Sequence, residues 1–243
     1  MADTNSRQGS GTARAIYASK ERQDEWMQYI ADRLGRPRIT EKPQHPFRGV
    51  PDFWREYDLN QEERINLFMS NWTNLGGHAF RMSSMQEVGR FLEDFARETG
   101  AQKLLLQRQP ELLDLGLPEA LKDVECVVWD SSDDDIIDEA AQADIGVVIV
   151  DHAAAYTGTI VVLSSPDKGR STSLLPRALV AVVPASAIEA NLGPILKGLD
   201  ARPKDQLPAG VHFITGPSRS SDIENDLTIG VHGPGIVYAL IVG

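Results

Sequence analysis

The sequence predicts an α/β fold: a largely parallel β-sheet with helices on both faces. Three observations lead there. The runs IGVVIV, TIVVL, LVAVVP and IVYALIV are continuous aliphatic stretches without polar alternation, the pattern of strands buried on both sides. Segments with helical spacing of apolar residues fall between them, which is the strand–helix rhythm of a parallel sheet. With 243 residues, 42% of them hydrophobic, the chain is long enough to bury a substantial core.

Residues 1–77 differ in texture from the rest of the chain. They hold Trp26, Trp54 and Trp72 and lack a clear β run. In DEWMQYIADRLG, Trp26, Tyr29, Ile30 and Leu34 share one face at helical spacing. RPRITEKPQHPFRGVPDFW breaks regular structure, because Pro37, Pro43, Pro46 and Pro51 each remove a backbone donor and restrict the residue before them. LNQEERINLFMSNWTNLGG resumes as a helix that stops at Gly76 and Gly77. The region is expected to be an N-terminal helical arm (1–77) laid over the main domain or a partner, ahead of an α/β domain at 78–243.

In that domain, SSMQEVGRFLEDFARETG puts Met85, Val88, Phe91, Leu92 and Phe95 on one helix face, opens at Ser83 or Ser84 and stops at Gly100. KLLLQ and VECVVW are buried strands separated by the short helix PELLDLG. DDDIIDEAAQA is a helix whose leading acids, Asp133, Asp134 and Asp135, suit the positive end of its dipole. The strands IGVVIV, TIVVLSS and LVAVVP come next, then a helix at SAIEANLGPILKG, the strand HFITG, a helix at SSDIENDL and the strand IVYALIV.

The composition excludes several roles. A formal net charge of -11 works against attraction to nucleic acid or anionic lipid. No apolar run approaches the roughly 20 residues of a membrane span, and the polar opening MADTNSRQGSGTARAIY lacks a signal-peptide block, so a cytoplasmic location is expected. Cys126 is the single cysteine, whereas an iron–sulfur cluster takes about four, so none is expected on this chain. His45, His78, His152, His212 and His232 are scattered, without an HExxH pair or Cys/His cluster, and no metal site is expected. Dinucleotide and P-loop glycine motifs are also missing from the sequence.

In parallel sheets ligands gather where strands end at their carboxyl side, which directs attention to three loops. HAAAYTGT offers the hydroxyls and accessible backbone of Thr157, Gly158 and Thr159, suited to a carboxylate or phosphate. SSPDKGRSTSLLP carries Lys168 and Arg170 among hydroxyls, and Arg170 is a candidate anion clamp. ITGPSRSSDIENDLTIGVHGPG comes after a strand; Ser221 and Glu224 fit a capping box, leaving Thr215, Gly216, Ser218 and Arg219 beside an expected helix start, where free amides favour an anion. His232, among glycines, is a candidate general base. Ser218, Asp222 and His232 make a poor hydrolase triad, because no G-x-S-x-G elbow carries the serine.

The order and spacing of YTGTIVVL, RSTSLLPRALVAVV and FITGPSRSSDIENDLTIGVHGPG resemble the LutC/YkgG group, the LUD-domain proteins of lactate utilisation. The resemblance implies a three-layer α/β/α fold of the NagB/RpiA/CoA-transferase-like type. It also implies a subunit of a system that oxidises L-lactate to pyruvate, with iron–sulfur clusters on partner proteins and a small carboxylate or related anion bound by this chain. It transfers no catalytic residue. The group usually reads A-E-T-G-T at the first loop; Tyr156 stands here in place of the acid, so a covalent glutamate mechanism loses its nucleophile. The alternative is a stand-alone enzyme on a phosphorylated or CoA-linked metabolite, with His232 as base and Arg170 or Arg219 as clamp.

Overall fold

A computed structural model describes residues 10–41, 58–221 and 227–243. The chain divides into two units, Met1–Trp54 and Arg55–Gly243. In the first, helix α1 (Ser10–Arg33) forms where the apolar spacing predicts it, with Trp26 and Tyr29 exposed along it and Leu34 exposed just past its end. Arg38 folds back onto α1, donating to the Asp24 carbonyl at 3.2 Å and pairing with its carboxylate. The prolines Pro43, Pro46 and Pro51 lie outside the described residues.

The second unit opens with α2 (Gln61–Asn74), started by Asn60 in a full capping box with Glu63. Next come β1 (His78–Met82), α3 (Met85–Thr99), β2 (Lys103–Leu106), α4 (Pro110–Leu113), α5 (Leu117–Ala120), β3 (Glu125–Val128), α6 (Ile136–Gln142) and β4 (Ile145–Ile149). The chain continues through β5 (His152–Ala154), β6 (Thr159–Leu163), α7 (Ser171–Leu174), β7 (Ala178–Pro184), β8 (Ile188–Glu189), α8 (Leu192–Asp200) and β9 (Val211–Ile214). It closes with β10 (Arg219–Ser221), β11 (Leu227–Ile229) and β12 (Ile236–Val242).

Six strands form a parallel sheet in the order β1-β12-β7-β4-β2-β3. Because side chains alternate across a strand, each apolar run feeds two cores. Leu104, Leu106, Val147, Val180 and Leu240 face the layer of α3, α4 and α5, against Val88, Leu92, Phe95, Leu112 and Leu117. Val148, Leu179, Ala181, Val183, Val237, Ala239 and Ile241 face the other way. On that side they meet α2, through Ile65, Phe68 and Trp72, and a second sheet of order β8-β5-β6-β9. Helix α6 covers the same side through Ile136 and Ala140 on Leu105 and Trp129. The outer face of the small sheet is closed by α8, where Ile195 packs on Val161 and Leu163. The parallel sheet flanked by helices is the fold class the sequence predicts; the second sheet lying beneath α8 is an addition to it.

Four expectations change. The boundary expected at Gly77 falls inside the second unit, because Phe68 and Trp72 are fully buried in its core. HAFRM and HAA are strands, β1 and β5. In SAIEANLGPILKG the helix starts only at Leu192, after the Asn191 cap; Ile188 and Glu189 pair with β5 instead. Where a helix is expected at SSDIENDL, the described residues Ser220, Ser221 and Leu227 belong to an antiparallel ribbon of β10 and β11, in which Arg219 opposes Ile229 and Ser221 opposes Leu227. Ser221 is therefore a strand residue, and Asp222 and Glu224 lie outside the described residues. Cys126 is half-buried on β3; that burial, and then the charge of Glu119, push its thiol pKa up and lower its reactivity.

Candidate functional site

The carboxyl end of α2 organises the site. Asn71 donates from Nδ2 to the carbonyls of Ala155 and Tyr156, both at 2.9 Å, and so seats the turn between β5 and β6 on the helix. Gly158 adopts φ +58 in that turn, and a Cβ there would stand 2.8 Å from the Trp72 amide nitrogen. Glycine is required on both counts, the left-handed backbone and the close approach. The turn presents a chain of hydroxyls: Thr159 Oγ1 bonds Thr157 Oγ1 at 2.7 Å and Thr215 Oγ1 at 2.9 Å.

One turn further on, the segment leaving β9 packs on the end of the same helix. Gly216, at φ +77, lies against Leu75, where a Cβ would come within 3.0 Å of the Leu75 Cβ. Arg219 donates its guanidinium to the Leu75 carbonyl at the C-cap of α2, where the helix dipole favours a cation. Its remaining donors have no partner among the described residues. Ser218 is pinned by its backbone, its amide donating to Pro234 at 2.9 Å and its carbonyl accepting from Gly230 at 3.0 Å.

A hollow of about 300 Å³ opens here, at the low end of the ligand-site range. Thr215, Gly216, Ser218, Arg219 and His232 contribute its polar wall, and Leu174, Phe213 and Val237 its apolar one. Leu179 and Val237, the second residues of β7 and β12, also line it, so the hollow sits at the amino ends of these parallel strands. The carboxyl-end rule therefore does not locate it. Nor does a helix N-terminus supply anion-binding amides, since β10 replaces that helix.

The sequence-predicted residues divide into three groups. Thr215, Gly216, Ser218, Arg219 and His232 line the hollow. Thr157, Gly158 and Thr159 stand behind it, joined through the hydroxyl chain to Thr215. Arg170 is separate from both and exposed; burial, and then its charge, lower the His212 pKa. Sequence reasoning missed Asn71 and the Leu75 carbonyl, because α2 was assigned to the arm. It also missed Phe213 and Leu174, whose apolar character carries no site signal.

Fold and site together define an α/β domain whose polar hollow lies between the parallel sheet, the smaller sheet and a β-ribbon. The model of the LUD domain matches residues 65–242, and the chain belongs to that family. Lactate utilization protein C of Halalkalibacterium halodurans is 30% identical, over 88% of this chain and 94% of its own length. The protein of the same name in Bacillus licheniformis is 32% identical, over 87% and 92%. Escherichia coli YkgG is 29% identical, over 90% and 96%. A crystal structure of a DUF162 family protein from Deinococcus radiodurans has the same fold, with a TM-score of 0.55 at 19% identity, covering 76% of this chain and 99% of that one. Among the described residues, no helix is long and apolar enough to cross a membrane.

Proposed function

We propose that the protein serves lactate utilisation, as a subunit that holds a small carboxylate in the hollow beside Arg219 and works with iron–sulfur proteins that oxidise L-lactate to pyruvate. The observation that carries this reading is the near full-length match to proteins named lactate utilization protein C. The site chemistry supports it. The donors of Arg219 that have no partner among the described residues suit a carboxylate, and Ser218 and Thr215 supply hydroxyls to orient it. His232, exposed on the same wall, is placed to exchange a proton with a ligand hydroxyl. A single cysteine leaves the redox centres to partner chains.

The test is Arg219→Gln in the full chain, with two readouts. Calorimetry with L-lactate and pyruvate is expected to show about ten-fold or greater weakening, as a charged hydrogen bond of about 1.5–3 kcal/mol is lost. Affinity purification from lactate-grown cells is expected to retain the cysteine-rich partners with both variants. Wild-type protein that binds neither acid would overturn the hollow's role, and full growth on L-lactate after deletion of the gene, in a strain without a paralogue, would overturn the pathway.

A further inference from the structure

Three threonine hydroxyls meet at the back of the hollow, and the direction of their hydrogen bonds decides what its wall can recognise. In the small sheet Ile160 of β6 lies opposite Ile214 of β9. One step further along this antiparallel register stand Thr159 and Thr215, whose Oγ1 atoms are 2.9 Å apart. Thr159 is buried, and its Oγ1 also lies 2.7 Å from that of Thr157. The turn that carries Thr157 is seated on α2 by the two Asn71 bonds, so packed structure, and not a ligand, holds the three hydroxyls together.

A hydroxyl has one proton to donate and two lone pairs with which to accept. In the bond between Thr159 and Thr157 the donor is Thr159, which commits its only proton. The geometry between Thr159 and Thr215 allows either direction, but Thr159 has no second proton, so Thr215 donates there. The Thr215 proton is thereby held on Thr159. Thr215 itself is exposed and lines the hollow, where its Oγ1 has only a lone pair left to offer.

The other polar side chains of the wall have different freedom. The Arg219 guanidinium can only donate. The Ser218 hydroxyl, which has no partner among the described residues, rotates to donate or accept, and an imidazole such as that of His232 carries both capacities when neutral. Two polarities are therefore fixed: a charged donor at Arg219 and an acceptor at Thr215. Among the described residues that line the hollow none is acidic, so a ligand ammonium would meet no counter-charge there. A hydroxyl is the donor that suits Thr215.

We propose that Thr215 determines the specificity of the hollow: its Oγ1, made an acceptor by Thr159, takes the hydroxyl of a hydroxy acid whose carboxylate lies on Arg219, and disfavours the corresponding keto acid. This assignment rests on the carboxylate reading of the hollow and names the class of acid it prefers. A ligand hydroxyl completes a directed chain, in which the ligand donates to Thr215, Thr215 to Thr159 and Thr159 to Thr157. An oxo group in the same place sets acceptor against acceptor and leaves Thr215 unpaired. A pocket built to bond a ligand hydroxyl rejects the analogue without it for this reason. The hollow therefore retains the hydroxy acid and releases its oxidised form.

The test is calorimetry of the full-length protein with four acids of one carbon skeleton: L-lactate, pyruvate, propionate and L-alanine. L-Lactate is expected to bind about ten-fold or more tightly than each of the others, the cost of an unpaired polar group. Thr215→Val, an exposed substitution whose folding far-UV circular dichroism verifies, should weaken L-lactate to the level of propionate without weakening pyruvate. Thr159→Val frees the Thr215 proton for the hollow, so pyruvate binding should tighten and the preference for L-lactate should collapse. Thr159→Ser keeps a hydroxyl in the chain and should restore that preference. Pyruvate bound as tightly as L-lactate by the wild-type protein, or a preference that survives Thr215→Val, overturns the role of Thr215 and leaves the carboxylate reading standing. L-Alanine bound more tightly than L-lactate overturns the hydroxyl in favour of an ammonium. Binding of none of the four acids overturns the carboxylate reading and the role of Thr215 together.

Discussion

Replacing Gly158 by alanine isolates the close approach on which the site depends. Gly158 has φ +58, and a Cβ would stand 2.8 Å from the Trp72 nitrogen and 2.9 Å from the Asn71 carbonyl carbon, both backbone atoms of α2 that cannot swing aside. Gly100 is its natural control, since it has φ +65 with nothing within 4 Å of a Cβ. Both substitutions carry the left-handed cost of about 1–2 kcal/mol. Only Gly158→Ala adds the collision with a packed helix, about 1–3 kcal/mol more. The expected loss is therefore about 2–5 kcal/mol for Gly158→Ala against about 1–2 kcal/mol for Gly100→Ala, out of a total of about 5–15 kcal/mol. Urea unfolding monitored by circular dichroism reads the difference directly. In thermal unfolding each kcal/mol should lower Tm by about 2–4 °C. Equal destabilisation by the two substitutions would refute the claim that the turn is seated on the helix backbone.

The same geometry and charge pattern set two further outcomes. Asn71→Ala removes both 2.9 Å bonds to the turn and is expected to destabilise by about 1–3 kcal/mol in urea, with weakened order at Thr157 and Thr215 visible in their NMR methyl signals. The Asp130 carboxyl should titrate near pH 2, because the Ser132 hydroxyl and amide, and then Arg108, hold its pKa at about 2 against an ordinary 3.8. A depressed carboxyl favours the folded state above the unfolded pKa and loses that contribution as pH falls through about 2. Ser132→Ala should move the NMR midpoint upward by more than Arg108→Gln does.

Much of the parallel sheet and its α3 cover was legible, because burial on two sides writes an unbroken aliphatic run and burial on one side writes a helical stripe. Val147, Val180 and Leu240 belong to such runs, and Val88, Leu92 and Phe95 to such a stripe. The second sheet was not legible. Strand β6 pairs with β9, and β5 with β8, over long sequence distances, and HAA alone is too short to show a period. SSDIENDL misled because Ser221 and Glu224 satisfy a local helix-start pattern, whereas the segment's register is set by pairing Arg219 with Ile229 across the ribbon. Residue type alone draws attention to Thr215, Gly216, Ser218 and Arg219, which line the hollow, but not to the partner that gathers them. The Leu75 carbonyl is a backbone atom, and a sequence gives such an atom no distinguishing letter.

Strand β12 lies between β1 and β7, paired with β7 along its length and with β1 from Tyr238 to Val242. During synthesis β1 emerges long before the segment it must join, and no neighbour earlier in the order can stand in for it. A nascent chain holding everything up to β11 therefore carries an open slot flanked by two unsatisfied edges, a template for illicit pairing with other chains. The final insertion is non-local and correspondingly slow. Proteins of this architecture should consequently be most prone to aggregation, and most dependent on chaperones, in the interval just before that slot is filled.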